Sequence, residues 1–150
     1  MVSENFTLTE LTRSEFGIRK NIPNTPTPEV VENLMNLCDD ILELLRSAIK
    51  KPIHINSGFR NVRINKGIGG SATSQHCKGE AVDIIVSGLT VEQVFQKIIS
   101  LNLPFDQLIQ EFDAWVHVSH KSGTNRRQIL RATKVKGKTI YEIQLRKKIK

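Results

Sequence analysis

Cysteine, aromatics and long apolar runs are all scarce in this chain, and each scarcity removes a class of protein. Two cysteines among 150 residues make no disulfide framework, and Cys38, on the apolar stripe of a predicted helix, and Cys77, in a polar stretch, are read as free thiols. One Trp, one Tyr and six Phe are too few for the repeated stacking platforms of a single-strand nucleic-acid binder. No apolar run approaches the roughly 20 residues of a membrane span, so no stable membrane insertion is expected. The opening MVSENFTLTELTRSEF lacks the basic start and unbroken apolar stretch of a secretory signal. Cytoplasmic synthesis is the expectation, with any substrate in the cell wall reached by a separate route.

What is present is ordinary for a globular protein: 39% apolar and 25% charged residues. That length suits one domain with its own core, covering residues 1–150, and a monomer is expected. The net charge of +7 favours polyanions without choosing among them. Much of it lies late, in Lys121, Arg126, Arg127, Arg131, Lys134, Lys136, Lys138 and the terminal RKKIK. With Tyr141 alone as an aromatic in that segment, this is read as a solvated basic face and tail, not a nucleic-acid surface.

The pattern divides into a helical segment, about 5–50, and a core, about 51–145. Thr7 and Thr9 precede acidic residues in the manner of helix caps, and the proline-rich NIPNTPTP, 21–28, is a connector. From Pro28 onward Val31, Leu34, Met35, Cys38, Ile41, Leu42 and Leu45 recur at helical spacing, with Thr27 as N-cap and Pro28 at the first position. IHINS, 53–57, alternates as a strand, and a long Gly-rich polar loop follows. AVDIIVSG, 81–88, reads as a buried strand, and Thr90 starts a second amphipathic helix. DQLIQEF, 106–112, and WVHVSH, 115–120, read as paired strands, and a last hairpin turns at Gly137. The sum is an α+β domain with helices packed on one mainly antiparallel sheet.

Chemistry concentrates in SQHCKGEAVD, 74–83. A turn at Gly79 lets His76, at the end of the polar loop, and Asp83, inside the next strand, converge on one point. A catalytic zinc takes three His or carboxylate ligands, so a third is needed. In WVHVSH, alternation sends Trp115, His117 and Ser119 to one face and Val116, Val118 and His120 to the other. The two valines look like core, which leaves the His117 face to line a cleft. Cys77 offers a rival, a thiol nucleophile with a neighbouring His as base, but that scheme leaves Asp83 and Arg60 without a role.

The segments SGFR (57–60), SQHCKGEAVD (74–83) and QEFDAWVHVS (110–119) resemble, in order and separation, the zinc D-alanyl-D-alanine carboxypeptidases and related phage and bacterial endolysins, which share a fold with the hedgehog signalling domain. The resemblance covers roughly residues 5–145. It implies zinc (Zn2+) held by His76, Asp83 and His117, with Arg60 facing the substrate, as suits a planar, permanently charged fork. It implies hydrolysis of amide bonds in peptidoglycan stem peptides or cross-bridges, by a carboxypeptidase or an endopeptidase; the lack of a signal stretch suits a phage or prophage lysis enzyme. The alternative is a zinc-containing wall-binding module of the same fold that has lost catalysis.

Ser57, Gln75 and Trp115 are candidates to contact the substrate, and Ser57 and Gln75 equally to cap their own loop. The general base is Glu111 or Asp113. A three-residue turn between the strands puts Glu111 opposite Trp115 on the His117 face; a two-residue turn points it away. Asp113 suits the turn itself.

Overall fold

In the computed structural model, which describes residues 1–144, six strands form one mixed sheet in the order β1-β2-β4-β3-β5-β6. The terminal RKKIK of the sequence reading lies outside the described residues. Two short helices open the chain, α1 (Leu8–Thr12) and α2 (Glu15–Lys20). Thr7 caps α1 in a reciprocal box with Glu10, and Ser14 caps α2. Thr9, expected as a second cap, lies inside α1.

The long helix begins as expected, with Thr27 as N-cap and Pro28 first. It runs as α3 (Pro28–Leu37), widens into a π turn over Cys38–Leu42, and continues as α4 (Glu43–Ile49). The buried stripe is Val30, Leu34, Leu37, Cys38, Ile41, Leu42 and Leu45, while Met35 is exposed and Val31 half-buried. The sequence pattern therefore chose the right helix and the wrong flank at its start.

After β1 (Ile53–Ser57) the polar stretch read as one long loop holds a helix, α5 (Val62–Gly67), and a 3-10 turn, Gln75–Lys78. Asn61 caps α5 by accepting from Ile64 N–H. The chain continues through β2 (Ala81–Val86), α6 (Val91–Ser100), β3 (Gln107–Glu111), β4 (Trp115–Ser119), β5 (Gln128–Val135) and β6 (Lys138–Ile143). Four of the five pairings are antiparallel; β3 and β5 run parallel.

Register decides what each face carries. Ile53, Ile55, Val82, Ile84, Val116, Val118, Leu108 and Ile129 join the residues of α3, α4 and α6 in the main core. The opposite face bears two rows of cross-strand neighbours: Asp83, His117, Ile109, Leu130 and Ile143 in one, and Trp115, Glu111, Ala132 and Tyr141 in the other. A bulge between Ile55 and Ser57 sets Ser57 opposite Asp83, turning it to this second face. Among the described residues no helix is long and apolar enough to cross a membrane.

Candidate metal centre

The 3-10 turn before β2 delivers His76, and β2 and β4 deliver Asp83 and His117 as direct cross-strand partners. One donor atom from each lies within 4.8 Å of the others, and all three residues are buried. His76 Nε2 is 3.4 Å and His117 Nδ1 2.9 Å from the same oxygen, Asp83 Oδ1. A tetrahedral zinc with bonds near ~2.1 Å holds its ligands roughly 3.4 Å apart, so the spacing fits that ion.

Protonation fits as well. His76 Nδ1 lies 2.7 Å from the Gly58 carbonyl, which can only accept, so Nδ1 carries the proton and Nε2 turns its lone pair to the cluster. Burial lowers the His76 pKa and keeps the ring neutral, partly opposed by Asp83. Burial alone would raise Asp83, but its contacts with His76 and His117 outweigh that and hold it ionised, well below the usual carboxylate range. Two imidazoles around a buried carboxylate are a donor set that suits a borderline-soft divalent cation.

Three residues, Phe112 to Ala114, separate β3 from β4, and Glu111 pairs opposite Trp115. Its Oε1 lies 3.9 Å from His117 Nδ1. Burial, with the Asp83 charge, raises the Glu111 pKa, while His117, Trp115 and Arg60 pull it back. Arg60 is partly buried; its Nη1 donates to Ser57 Oγ at 3.3 Å, and its Nε is buried with no hydrogen-bond partner among the described residues. Burial lowers its pKa, and the carboxylates of Asp83 and Glu111 act in the other direction. The arrangement therefore sets a cation, a metal-type cluster and a carboxylate inclined to take a proton on one sheet face.

The chain matches the Peptidase M15 family over residues 4–119, most of its length and all of this constellation. It belongs to that family. A zinc D-Ala-D-Ala carboxypeptidase from Streptomyces albus G is 43% identical to it over 44 residues, 29% of this chain and 17% of that relative. The matched part thus spans less than a fifth of the curated relative's length.

Within this M15 domain the other sequence candidates separate. Ser57 stays beside Arg60 as its acceptor, and Gln75 is half-buried, its carbonyl accepting from Glu80 N–H at 3.0 Å. Trp115 packs edge-on against Phe112, ring centroids 5.8 Å apart. Its indole N–H is buried without a hydrogen-bond partner among the described residues, yet near enough to favour the charged form of Glu111. Asp113 is not brought to the cluster: it is exposed in the turn, with φ +54°, and its carboxylate accepts from Gln110, whose amide also reaches toward Glu92 on α6. His120 faces the helices and pairs with Asp40 at 3.1 Å. Cys38 and Cys77 are free, and burial raises the Cys77 pKa, which disfavours a thiolate.

Sequence reasoning missed Gly58. Its carbonyl orients His76, and a Cβ added there would meet Leu11 O at 2.2 Å. The signal was its place inside SGFR, between a strand and the arginine.

Proposed function

We propose that this protein is a zinc-dependent peptidase that hydrolyses amide bonds in peptidoglycan peptides, stem or cross-bridge, of the D-Ala type. The observation that carries this reading is the convergence of His76, Asp83 and His117 beside the half-buried Glu111, whose Oε1 lies 3.9 Å from His117 Nδ1. His76 Nε2, Asp83 Oδ1 and His117 Nδ1 would hold the ion. Bound there, zinc supplies Lewis acidity toward a carbonyl oxygen and lowers the pKa of water toward neutrality.

The chain's own groups do the rest. Arg60, with Nε unpartnered and Nη1 held by Ser57, orients the substrate through a carbonyl or carboxylate oxygen. Glu111 takes a proton at a carboxylate oxygen from the attacking water and returns it to the amide nitrogen as the C–N bond breaks. Trp115, half-buried and opposite Glu111 in the register, walls that side of the site. A module that merely kept the metal would have no use for a carboxylate 3.9 Å from one of the metal-ligating imidazoles, so the placement of Glu111 favours the hydrolase over the wall-binding alternative.

The test joins metal analysis of the purified protein to mass spectrometry of peptidoglycan digested with it. One zinc per chain and new free amines in the wall peptides are expected, both lost in His76→Ala. Amine release that survives in that variant would sink the reading.

A further inference from the structure

The β5–β6 hairpin, residues 128–143, lies beyond the stretch matched by the M15 family, yet the sheet carries it to the edge of the candidate site. Parallel pairing to β3 aligns Ala132 with Glu111, and antiparallel pairing then aligns Tyr141 with Ala132. Tyr141 is thus two strands, roughly 10 Å, from the Glu111 backbone on the same face, and its side chain is 55% exposed. Ile143, 67% exposed, stands in the adjoining row that begins with Asp83 and His117. The Glu111 carboxylate also acts on the phenol, whose pKa is raised by burial and by that charge.

The β3–β4 turn builds toward the same region. Phe112 and Asp113 both take left-handed backbone angles, φ +59° and +54°, an uncommon conformation for side-chain-bearing residues and one that costs free energy. Bonds between Gln110 and Asp113 hold it. The result lays Phe112 on Ile109, Leu130 and Ala132, with Lys134 Nζ 5.5 Å from its ring centroid. Lys134 is exposed, and no described carboxylate forms an ion pair with it. An unpaired cation beside half-covered aromatics, continuous with a peptidase site, matches a peptide chain that bears a carboxylate.

We propose that this hairpin is a substrate-binding wall, in which Tyr141 seats the main chain of an extended peptide and Lys134 holds an acidic group that the peptide carries. The inference rests on reading the site as that of a peptidase. At roughly 3.3 Å per extended residue, the span from Glu111 to Tyr141 places this contact about three residues from the bond being cut.

The test uses the full chain loaded with zinc and carrying Glu111→Gln, so that binding is read without turnover. Trp115 is the sole tryptophan, and its fluorescence reports occupancy. The probes are a synthetic pentapeptide ending in D-Ala-D-Ala with one glutamate, and the same peptide with glutamine in that position. The acidic peptide should bind about fivefold to tenfold tighter, the scale of one charge-assisted contact. Lys134→Gln should erase that difference. Tyr141→Ala should weaken both peptides about tenfold, and Tyr141→Phe should restore them. Equal binding of the two peptides, no binding of either, or the same loss with Lys136→Gln at the hairpin tip would overturn the proposal. So would tighter binding of a single-stranded oligonucleotide that the same variants abolish. Failure of the native chain to release amines from cell walls would instead count against the proposed reaction, whatever the titration shows.

Discussion

Two carboxylates in one short segment, Glu111 and Asp113, meet opposite fates because a single turn residue decides which way each faces. Glu111 lies on the His117 side, and its burial makes proton uptake easier; Asp113 sits exposed and engaged by Gln110. Glu111→Gln should therefore keep one zinc per chain and lose roughly 10²- to 10⁴-fold in turnover, the usual contribution of a general base. Asp113→Asn should retain most of its turnover. Peptide hydrolysis followed alongside metal analysis checks both, and a reversed pattern would reassign the base. The convergence of His76 and Asp83 was legible from eight residues of sequence read together with the family resemblance, because a glycine turn between an imidazole and a strand carboxylate lets the two meet. The place of His117 beside them followed from alternation and from the resemblance together. Glu111 was not fixed by the same logic, since the face it takes depends on a turn length that composition does not encode.

At the scale of elements, caps were the most legible features: Thr27 and Thr90 start their helices where the sequence places them, since a side-chain oxygen accepting a backbone N–H is a local event. The π turn at Cys38–Leu42 and the helix α5 were not legible. The first carries no proline or glycine to mark it in CDDIL, and the second is six residues with little apolar pattern. Nor did the strand pattern reveal that β5 pairs parallel to β3, since that pairing is set by the return path of residues 120–127. Gly58 shows how an element and the site become coupled. Its neighbour Phe59 donates its N–H to Leu11 O at 2.7 Å, and the same carbonyl oxygen blocks any Cβ on Gly58. Gly58→Ala must push α1 from β1 and move the carbonyl that holds His76. A stability loss of about 1–3 kcal/mol in urea unfolding and a 10- to 100-fold loss of zinc affinity are expected. Gly69→Ala is the comparison: with φ +77° and open space around it, it should cost about 1–2 kcal/mol from backbone strain and leave zinc affinity unchanged. Equal zinc affinity in the two variants would separate Gly58 from the metal cluster.

For the whole molecule, the sheet closes through Asp106, which is 1% exposed where β3 begins. Its backbone N–H donates to Ser119 O and its carbonyl accepts from Gln128 N–H, so it joins β4 to the start of β5. Its carboxylate accepts from the Arg126 backbone at 2.9 Å and from Arg126 Nη2 at 2.8 Å. Burial would raise the Asp106 pKa, but these bonds outweigh it and lower the value. A group whose pKa is lower folded than unfolded binds more protons in the unfolded chain, so its contribution is complete above the unfolded value, about 3.9, and fades as pH falls toward the folded one. Glu43 and Glu92, the latter lowered to about 2 chiefly by Arg131, act in the same direction. With a net charge of +7 at neutrality, protonating carboxylates also adds repulsion among the cations. Stability should therefore decline steeply between about pH 5 and pH 2, and the part owed to Asp106 is isolated by Asp106→Asn. That variant should lose about 1–3 kcal/mol at pH 7, below the range for a fully buried pair because Arg126 is half in solvent. Its stability should then vary less with pH than the parent's across the acid range. Urea titrations of both proteins at pH 7, 5, 4 and 3 measure the two slopes, and parallel slopes would mean that Asp106 titrates alike folded and unfolded.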